Sequence, residues 1–143
     1  MPLVQVTAPE GALSKDQQDR FMSHLSNAVL KAEKAPVNDE GAQSLIWAYY
    51  DTLPVGDIYI GGTNMQAPPL RINITTPAGA LNTQARSELV AAVGQLVDDL
   101  IGPYDGRLNH WTMLHEVAEG SWAGAGQIFS LADIQTAMNI KAA

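Results

Sequence analysis

Two short apolar stretches, residues 3–7 and 70–74, have the length and composition of β-strands. Each ends at a turn that contains proline and glycine. After each turn comes a longer segment in which apolar residues recur every three or four positions, as they do on one side of a helix. The residues of these two stripes are Phe21, Leu25, Ala28 and Ala32, and then Leu89, Val93, Leu96 and Leu100. The pattern predicts two strands, each followed by an amphipathic helix that covers a sheet.

The ends of both helices carry clear signals. Ser14, with Gln17 three residues later, forms a capping-box sequence, and Asn82 is the matching N-cap residue of the second helix. Pro36 is predicted to end the first helix, and the Gly102-Pro103 pair is predicted to end the second.

After each helix the chain returns to residues that favour strands. Residues 44–53 and 109–117 are predicted to form these second strands, and the glycine-rich segments 56–62 and 120–126 are predicted to form hairpins. Residues 130–138 are predicted to form a short helix, capped by Ser130 with Asp133 at its third position.

The chain repeats itself. The sequence TAPEGALS at 7–14 is echoed by TTPAGALN at 75–82, and Trp47, Gly56 and Gly62 recur as Trp111, Gly120 and Gly126. We therefore interpret residues 1–143 as a single domain with one repeat over about 2–66, a second over about 67–129, and a short C-terminal helix over about 130–139.

Each repeat has the order strand, helix, strand. The right-handed crossover rule makes the two strands of such a unit parallel and puts the helix on one face. The predicted fold is therefore α/β (α+β), with a four-stranded mixed sheet and two helices on one of its faces. A pseudo-two-fold axis should set the first strands side by side and antiparallel, so that Pro2 faces the turn at 75–80. The other sheet face needs a cover, which self-association would supply.

Composition narrows the range of partners. The formal charge is -7 and basic residues form no run, which argues against nucleic acid and anionic membranes as partners. Cysteine is absent, so thiolate chemistry is excluded, and the three histidines lack metal-ligand spacing. No apolar run is long enough to span a bilayer, and the N-terminus does not resemble a signal peptide. We expect a cytoplasmic protein without a metal or another cofactor.

Pro2 is the residue with the clearest chemical potential. If Met1 is removed, as is common before proline, Pro2 becomes a terminal secondary amine. Burial of such an amine in an apolar pocket disfavours the ammonium form and lowers its pKa from near 8. The neutral amine can then act as a general base near neutral pH.

Three features together resemble the tautomerase superfamily: the Met1-Pro2 start, the doubled strand-helix-strand unit, and two motifs. The motifs are PVGDIYIGG at 54–62 and HEVAEGSW at 115–122. The layout is most similar to cis-chloroacrylic acid dehalogenase and its relatives, and oxalocrotonate tautomerase represents the half-length unit. The resemblance covers nearly the whole chain. It implies the fold shared with macrophage migration inhibitory factor, a homotrimer, and Pro2 at the bottom of the active site.

Several positions depart from the family pattern. Pro77 and Ala80 stand where the dehalogenase has carboxylate-binding arginines, and Ala12 stands where the half-length tautomerase has an arginine. Val29 and Met113 replace a histidine and a tyrosine of the dehalogenase. The departures favour a carbonyl substrate that is less anionic than a dicarboxylate or a haloacid.

Six further residues are candidates for substrate contact: Asn73, Thr76, Trp111, Met113, His115 and Trp122. Asn73 could instead be a satisfied polar group of the sheet, and Trp111, Met113 and His115 could pack in the core or in a trimer. Trp122 aligns with an aromatic residue that lines the pocket of the half-length tautomerase. Arg71 is predicted to lie at the end away from Pro2, in a salt bridge. Asp39 resembles an acidic position of malonate semialdehyde decarboxylase, although a simple turn explains it equally well.

Three functions fit this sequence. The first is a tautomerase in which Pro2 acts as the base on a small-molecule carbonyl or enol compound. The second is a hydratase or dehalogenase of haloacrylate-type acids. The third is a trimeric module without catalytic activity.

Overall fold

The computed structural model describes residues 1–141 of the 143-residue chain, so the last two residues of the predicted domain lie outside the described residues. The elements in chain order are β1 (Leu3–Pro9), α1 (Lys15–Ala32), α2 (Glu40–Leu45), β2 (Trp47–Leu53), a 3-10 turn (Val55–Asp57), β3 (Leu70–Pro77), α3 (Thr83–Ile101), β4 (His110–Val117), β5 (Ala123–Gly124), β6 (Gln127–Ile128) and α4 (Leu131–Ala137).

The main sheet has four strands in the order β2-β1-β3-β4. β1 is parallel to β2 and antiparallel to β3, and β3 is parallel to β4. The prediction of a mixed four-stranded sheet with the two first strands adjacent and antiparallel is confirmed. The crossover rule makes the two strands of each repeat parallel, and the pseudo-two-fold relation between the repeats places β1 beside β3.

Helices α1 and α3 pack side by side over one face of the sheet. On the sheet side, alternate residues of β1 and β3 are fully buried against them, for example Val4, Val6, Ile72 and Ile74. This alternation follows from the period of two in a strand, which sends successive side chains to opposite faces.

The predicted helix stripes need a correction. The buried residues of α1 are Phe21, Leu25, Val29 and Leu30, and those of α3 are Leu89, Val93 and Val97. Ala28, Ala32, Leu96 and Leu100 are only partly buried. Ala28, Ala32 and Leu96 line the groove between α1 and α3, and this position explains why they are less buried than the residues that face the sheet.

All three predicted N-caps are present. Ser14 and Ser130 form complete capping boxes with Gln17 and Asp133, and the side chain of Asn82 accepts a hydrogen bond from the Ala85 amide at 2.8 Å. The turns that precede α1 and α3 are also alike. Ala12 N–H donates to the Pro9 carbonyl as Ala80 N–H does to that of Pro77, both at 3.1 Å. The third residue of each turn has a positive φ, which explains why glycine is repeated there.

Two connections differ from the prediction. The strand expected at 44–53 begins only at Trp47, because residues 40–45 form α2, whose N-cap Asp39 accepts a hydrogen bond from the Ala42 amide at 2.8 Å. The segment 56–62 is not a regular hairpin. It contains one isolated bridge between Ile60 and Thr63, and the side-chain amide of Asn64 donates to the carbonyls of two residues in this loop. Only the second glycine-rich segment forms a hairpin, β5–β6.

The second face of the sheet is bare. Trp47 and Trp111 are 62% and 65% exposed, and Tyr49 is also exposed. Large aromatic side chains at alternate strand positions are typical of a surface that another protein layer covers. Within residues 1–141, no helix is both long and apolar enough to cross a membrane.

Candidate functional site

A cavity of about 440 Å³ opens at the start of β1. Its wall combines the first residues of the chain, the junction of α2 and β2, the end of β4 and the β5–β6 hairpin. The lining residues are Met1, Pro2, Leu3, Ser44, Leu45, Trp47, Thr75, Val117, Ser121, Trp122, Ala123, Gly124 and Phe129. Both repeats therefore contribute to one mostly apolar cavity.

Pro2 is held firmly in this cavity. It is buried, and its carbonyl accepts a hydrogen bond from the Trp47 amide at 3.2 Å. Leu3, the next residue, pairs with Trp47 on one side and with Thr75 on the other. The sheet thus fixes the position of the N-terminus from two sides.

The second repeat supplies an aromatic wall. The Phe129 amide donates to the Trp122 carbonyl at 2.9 Å, which closes the β5–β6 hairpin against the cavity. A Cβ atom at Gly124 would lie 3.2 Å from the Phe129 ring, so a larger residue there would require the ring to move by a few tenths of an ångström. Trp122 itself is half-buried and packs against the hydrophobic core.

The chain's amino group lies in a poorly hydrated corner beside this cavity. The Met1 nitrogen donates to Sδ of Met138, the fully buried C-cap residue of α4, at 3.0 Å. Burial lowers the pKa of this amine from 8.0 to about 6, and the nearby Glu33 carboxylate partly opposes that change. Burial therefore favours the unprotonated form of the amine at this corner.

Glu33 is a buried acid that the sequence analysis missed. Its exposed fraction is 4%, and neither carboxylate oxygen has a hydrogen-bond partner within the described residues. Burial raises its pKa from 4.5 to about 7, although the amino group at Met1 favours its ionised form. A signal for it was present: Phe21, Leu25 and Val29 are spaced by four residues, and Glu33 is the next position of that buried stripe.

The structure places two of the predicted site residues in this cavity, namely Pro2 and Trp122. His115 does not line the cavity, but it pairs with Thr75, which does. Its Nε2 lies 3.0 Å from Oδ1 of Asn73, so these two candidates contact each other on the bare face.

The other three predicted residues lie elsewhere. Thr76 is 2% exposed and points to the helix side of the sheet, Met113 pairs with Asn73 near the middle of the face, and Trp111 lines a different cavity at the opposite end. Period-two alternation separates Thr76 from Thr75: the side chain of Thr75, not that of Thr76, is on the face that carries the cavity.

The charges around the cavity are few. No lysine or arginine is among its described lining residues. Arg86 pairs with Glu116, and Asp39 caps α2 while its other oxygen accepts from Asn139 at 2.9 Å. Within residues 1–141, no group of three histidine, aspartate or glutamate side chains is arranged to hold a metal ion.

Comparisons with known proteins identify the fold. No protein-family model matches the sequence, and no curated protein matches it either. Solved structures do match. Pt0534 inactivated by 2-oxo-3-pentynoate superimposes with a TM-score of 0.73 at 20% identity, over 92% of this chain and 98% of that one. A wild-type symmetric trimer of fused 4-OT gives 0.71 at 20% identity over the same shares of the two chains.

A third solved structure, N1, is a member of the cis-3-chloroacrylic acid dehalogenase family. It matches with a TM-score of 0.70 at 13% identity, over 88% of this chain and 82% of that one. The chain therefore has the fold of the tautomerase superfamily, as its sequence motifs indicate.

Proposed function

We propose that this protein is a tautomerase in which the amine of Pro2, freed by removal of Met1, is the general base. The observation that carries the proposal is the position of Pro2, which is buried at an apolar cavity of about 440 Å³. The lowered pKa of the present amino group, about 6, supports it, because the same corner would desolvate the amine of Pro2.

The chemistry needs only a proton carrier. The neutral amine of Pro2 takes the hydroxyl proton of an enol, and the resulting ammonium delivers a proton to the carbon of the former double bond. The electron pair of that double bond forms the new C–H bond, and a ketone results. An amine with a pKa near the working pH can perform both transfers, because neither protonation state is strongly disfavoured.

The lining favours a substrate with a large apolar part. Trp122, Phe129 and Leu45 supply hydrophobic surface, and the hydroxyls of Ser44, Thr75 and Ser121 are the neutral polar groups of the wall. Because the described lining contains no cationic side chain, a dianionic substrate would lose hydration without compensation. A small carbonyl compound with an aryl or alkyl group fits better.

We further propose that the protein assembles as a homotrimer. The middle of the bare sheet face, where Tyr49 lies exposed opposite Gln5 and between the two ends, provides the surface. One solved structure with the same fold is a symmetric trimer of fused 4-OT. Native mass spectrometry of the purified protein tests this assembly.

The first experiment is an intact mass, because only loss of Met1 creates the amine of Pro2. Ketonisation of phenylenolpyruvate, followed by ultraviolet absorbance, then tests the function. Replacement of Pro2 by alanine should lower kcat/KM by at least about 100-fold. Pro36→Ala is the matched control, since Pro36 is exposed beyond the end of α1. Wild-type turnover by the Pro2 variant would overturn the role of Pro2.

A covalent probe adds an independent readout. The alkyne of 2-oxo-3-pentynoate, which inactivated Pt0534, can accept the Pro2 nitrogen. An N–C bond forms, the amine proton moves to the neighbouring alkyne carbon, and nothing leaves, so the mass rises by one whole reagent. Peptide mapping should place this adduct on Pro2.

Two other functions remain as outcomes of the same assays. Turnover of haloacrylate or acetylene acids, with enol decay left at its uncatalysed rate, would identify a hydratase or dehalogenase. Absence of both activities, with no adduct on Pro2, would identify a module without catalysis.

A further inference from the structure

A second cavity lies at the opposite end of the bare sheet face. Its volume is about 200 Å³, and apolar side chains from the loop after β2 and from β4 form much of its wall. The lining residues that matter for its chemistry are Thr7, Ile58, Ile60, Arg71 and Trp111.

This cavity is the symmetry counterpart of the Pro2 cavity. At the Pro2 end, Trp47, Leu3, Thr75 and His115 follow one another across the four strands. At the other end, the corresponding row is Trp111, Arg71, Thr7 and Asp51. The two tryptophans and the two threonines are thus equivalent, and each cavity has one of each.

Two differences separate the cavities. The position of Pro2 is taken in the second repeat by Leu70, which lies within the chain and has no amine. The position of Leu3 is taken by Arg71, so the second cavity has a cation where the first has an alkyl group. The second cavity therefore lacks the proposed base and possesses the anion-binding group that the first one lacks.

Arg71 has no acidic partner in the described structure. The ion pairs within residues 1–141 are Lys15–Asp19 and Arg86–Glu116, so the salt bridge expected for Arg71 does not form. Its Nη2 instead donates to Thr7 Oγ1 at 3.2 Å. A guanidinium has five N–H donors in a planar fork that matches a carboxylate, and this bond uses one of them.

Hydrogen bonds hold the loop that closes the cavity in a defined conformation. Asn64 Nδ2 donates to the carbonyls of Gly56 at 3.0 Å and Ile58 at 2.8 Å, which places Ile58 in the wall. Arg107 stacks on Tyr104 and donates to the Ala67 carbonyl at 2.7 Å, so this second cation is already engaged. Arg71 is the one arginine or lysine in the described lining.

We propose that this second cavity binds a small monocarboxylate with an apolar body. Arg71 takes the carboxylate, the Thr7 hydroxyl holds the guanidinium in place, and Ile58, Ile60 and Trp111 contact the body of the ligand. A single guanidinium in an apolar wall favours one negative charge over two, because a second charge would have no partner. The overall charge of -7 repels anions, so the local cation must supply the attraction.

This site is independent of the proposed chemistry at Pro2. It requires no removal of Met1 and no proton transfer, so it can be tested whether or not the protein ketonises enols.

Benzoate is a suitable probe, and benzamide is its neutral isostere. Two-dimensional amide NMR of the full-length assembled protein should show benzoate-dependent shifts at Thr7 and Arg71 and at the Trp111 indole. Benzamide should bind at least about tenfold more weakly, because it has no negative charge to pair with the guanidinium and only one acceptor oxygen, so it cannot form the bidentate ion pair.

Arg71→Gln should weaken benzoate binding at least about tenfold, and Arg71→Lys should retain part of it. Arg20→Gln is the matched control, since Arg20 is an exposed arginine on α1. Three results would overturn the site: equal binding of benzamide, unchanged binding by Arg71→Gln, or benzoate shifts confined to the Pro2 cavity. Loss of the native assembly in Arg71→Gln would overturn it too, because Arg71 would then be an interface residue.

Discussion

Gln5 in β1 lies directly opposite Asn73 in β3, and these two residues are also equivalent positions of the two repeats. The pseudo-two-fold axis therefore passes between them, through the middle of the bare face. Each residue at one end of this face therefore has an equivalent residue at the other end. The two ends differ chemically because only the first repeat begins near the chain's amino group.

Introducing the residue of the second cavity at the equivalent position of the Pro2 cavity should change substrate preference. Leu3→Arg would place a guanidinium in the Pro2 cavity, at the position equivalent to Arg71. We expect KM for the anionic phenylenolpyruvate to fall by about tenfold relative to a neutral enol, the effect of one charge-assisted hydrogen bond. Leu3→Met, which adds length without charge, is the control for steady-state kinetics. An unchanged ratio of the two KM values would contradict the assignment of the cavity as the substrate site.

Removal of the aromatic wall should make the amine more basic. Trp122→Ala admits water beside Pro2 and reduces the desolvation that lowers the pKa of an amine at this corner. The acidic limb of the kcat/KM profile should move toward pH 8, and activity at pH 6.5 should fall several-fold. Tyr59→Ala, at an exposed aromatic residue in the loop after β2, is the matched control. A fall in activity with an unmoved limb would mean that Trp122 contacts the substrate without affecting the base.

Glu33 should control the protonation of the amine. Its carboxylate raises the pKa of the Met1 amino group against the larger effect of burial. After removal of Met1 the amine of Pro2 lies one residue further along the same segment, so we expect Glu33→Gln to lower the pKa of the Pro2 amine in the same way. The acidic limb of kcat/KM should then shift to lower pH than in the wild type. Glu10→Gln, in the exposed turn after β1, controls for loss of one acidic charge. An acidic limb at the same pH in both variants would show that Glu33 does not act on the base.

The same residue should make stability depend on pH. The pKa of Glu33 is raised in the folded state, so its contribution is fully present below about pH 4.5 and is lost as pH rises to about 7. A rise in pKa from 4.5 to about 7 corresponds to a change in the free energy of unfolding on the order of 3 kcal/mol. Glu33→Gln should therefore increase the free energy of unfolding at pH 8 and leave it nearly unchanged at pH 4.

Urea denaturation at both pH values, at one protein concentration, measures this difference. The amino group changes stability in the opposite sense, since its pKa is lowered in the folded state and its contribution grows between about pH 6 and 8. Because both variants retain this amine, comparison of Glu33→Gln with Glu10→Gln isolates the carboxyl group. Equal stability of the two variants at pH 8 would mean that Glu33 gains a partner in solution.

Much of the fold could be predicted from short stretches of sequence. Both capping boxes form within four consecutive residues, Ser14 with Gln17 and Ser130 with Asp133. A short stretch of sequence is therefore enough to predict them. The short helix α2 was missed, because six residues with one capping aspartate give a weak periodic signal. The first glycine-rich loop was predicted to be a hairpin because its composition matches that of the second; Asn64 selects a different structure through bonds to backbone carbonyls.

The candidate site was predictable only in part. Pro2 and Trp122 were identified by pattern and resemblance, and the structure brings them to one cavity. Thr76 and Thr75 are neighbours in sequence, yet the strand register sends them to opposite faces of the sheet. Glu33 was overlooked because a glutamate near a helix end usually lies in solvent.

The sequence by itself determined the doubled unit, the order of the four strands and the presence of a proline behind the first methionine. These follow from caps, turns and crossovers, which depend on neighbouring residues and on chain handedness. Only the tertiary structure decided what surrounds that proline. The Met1 nitrogen contacts Met138, which is 137 residues away in the sequence, and Glu33 is buried at the same corner. Desolvation depends on which distant segments pack together, and that packing decides whether the amine at this corner is a base at neutral pH.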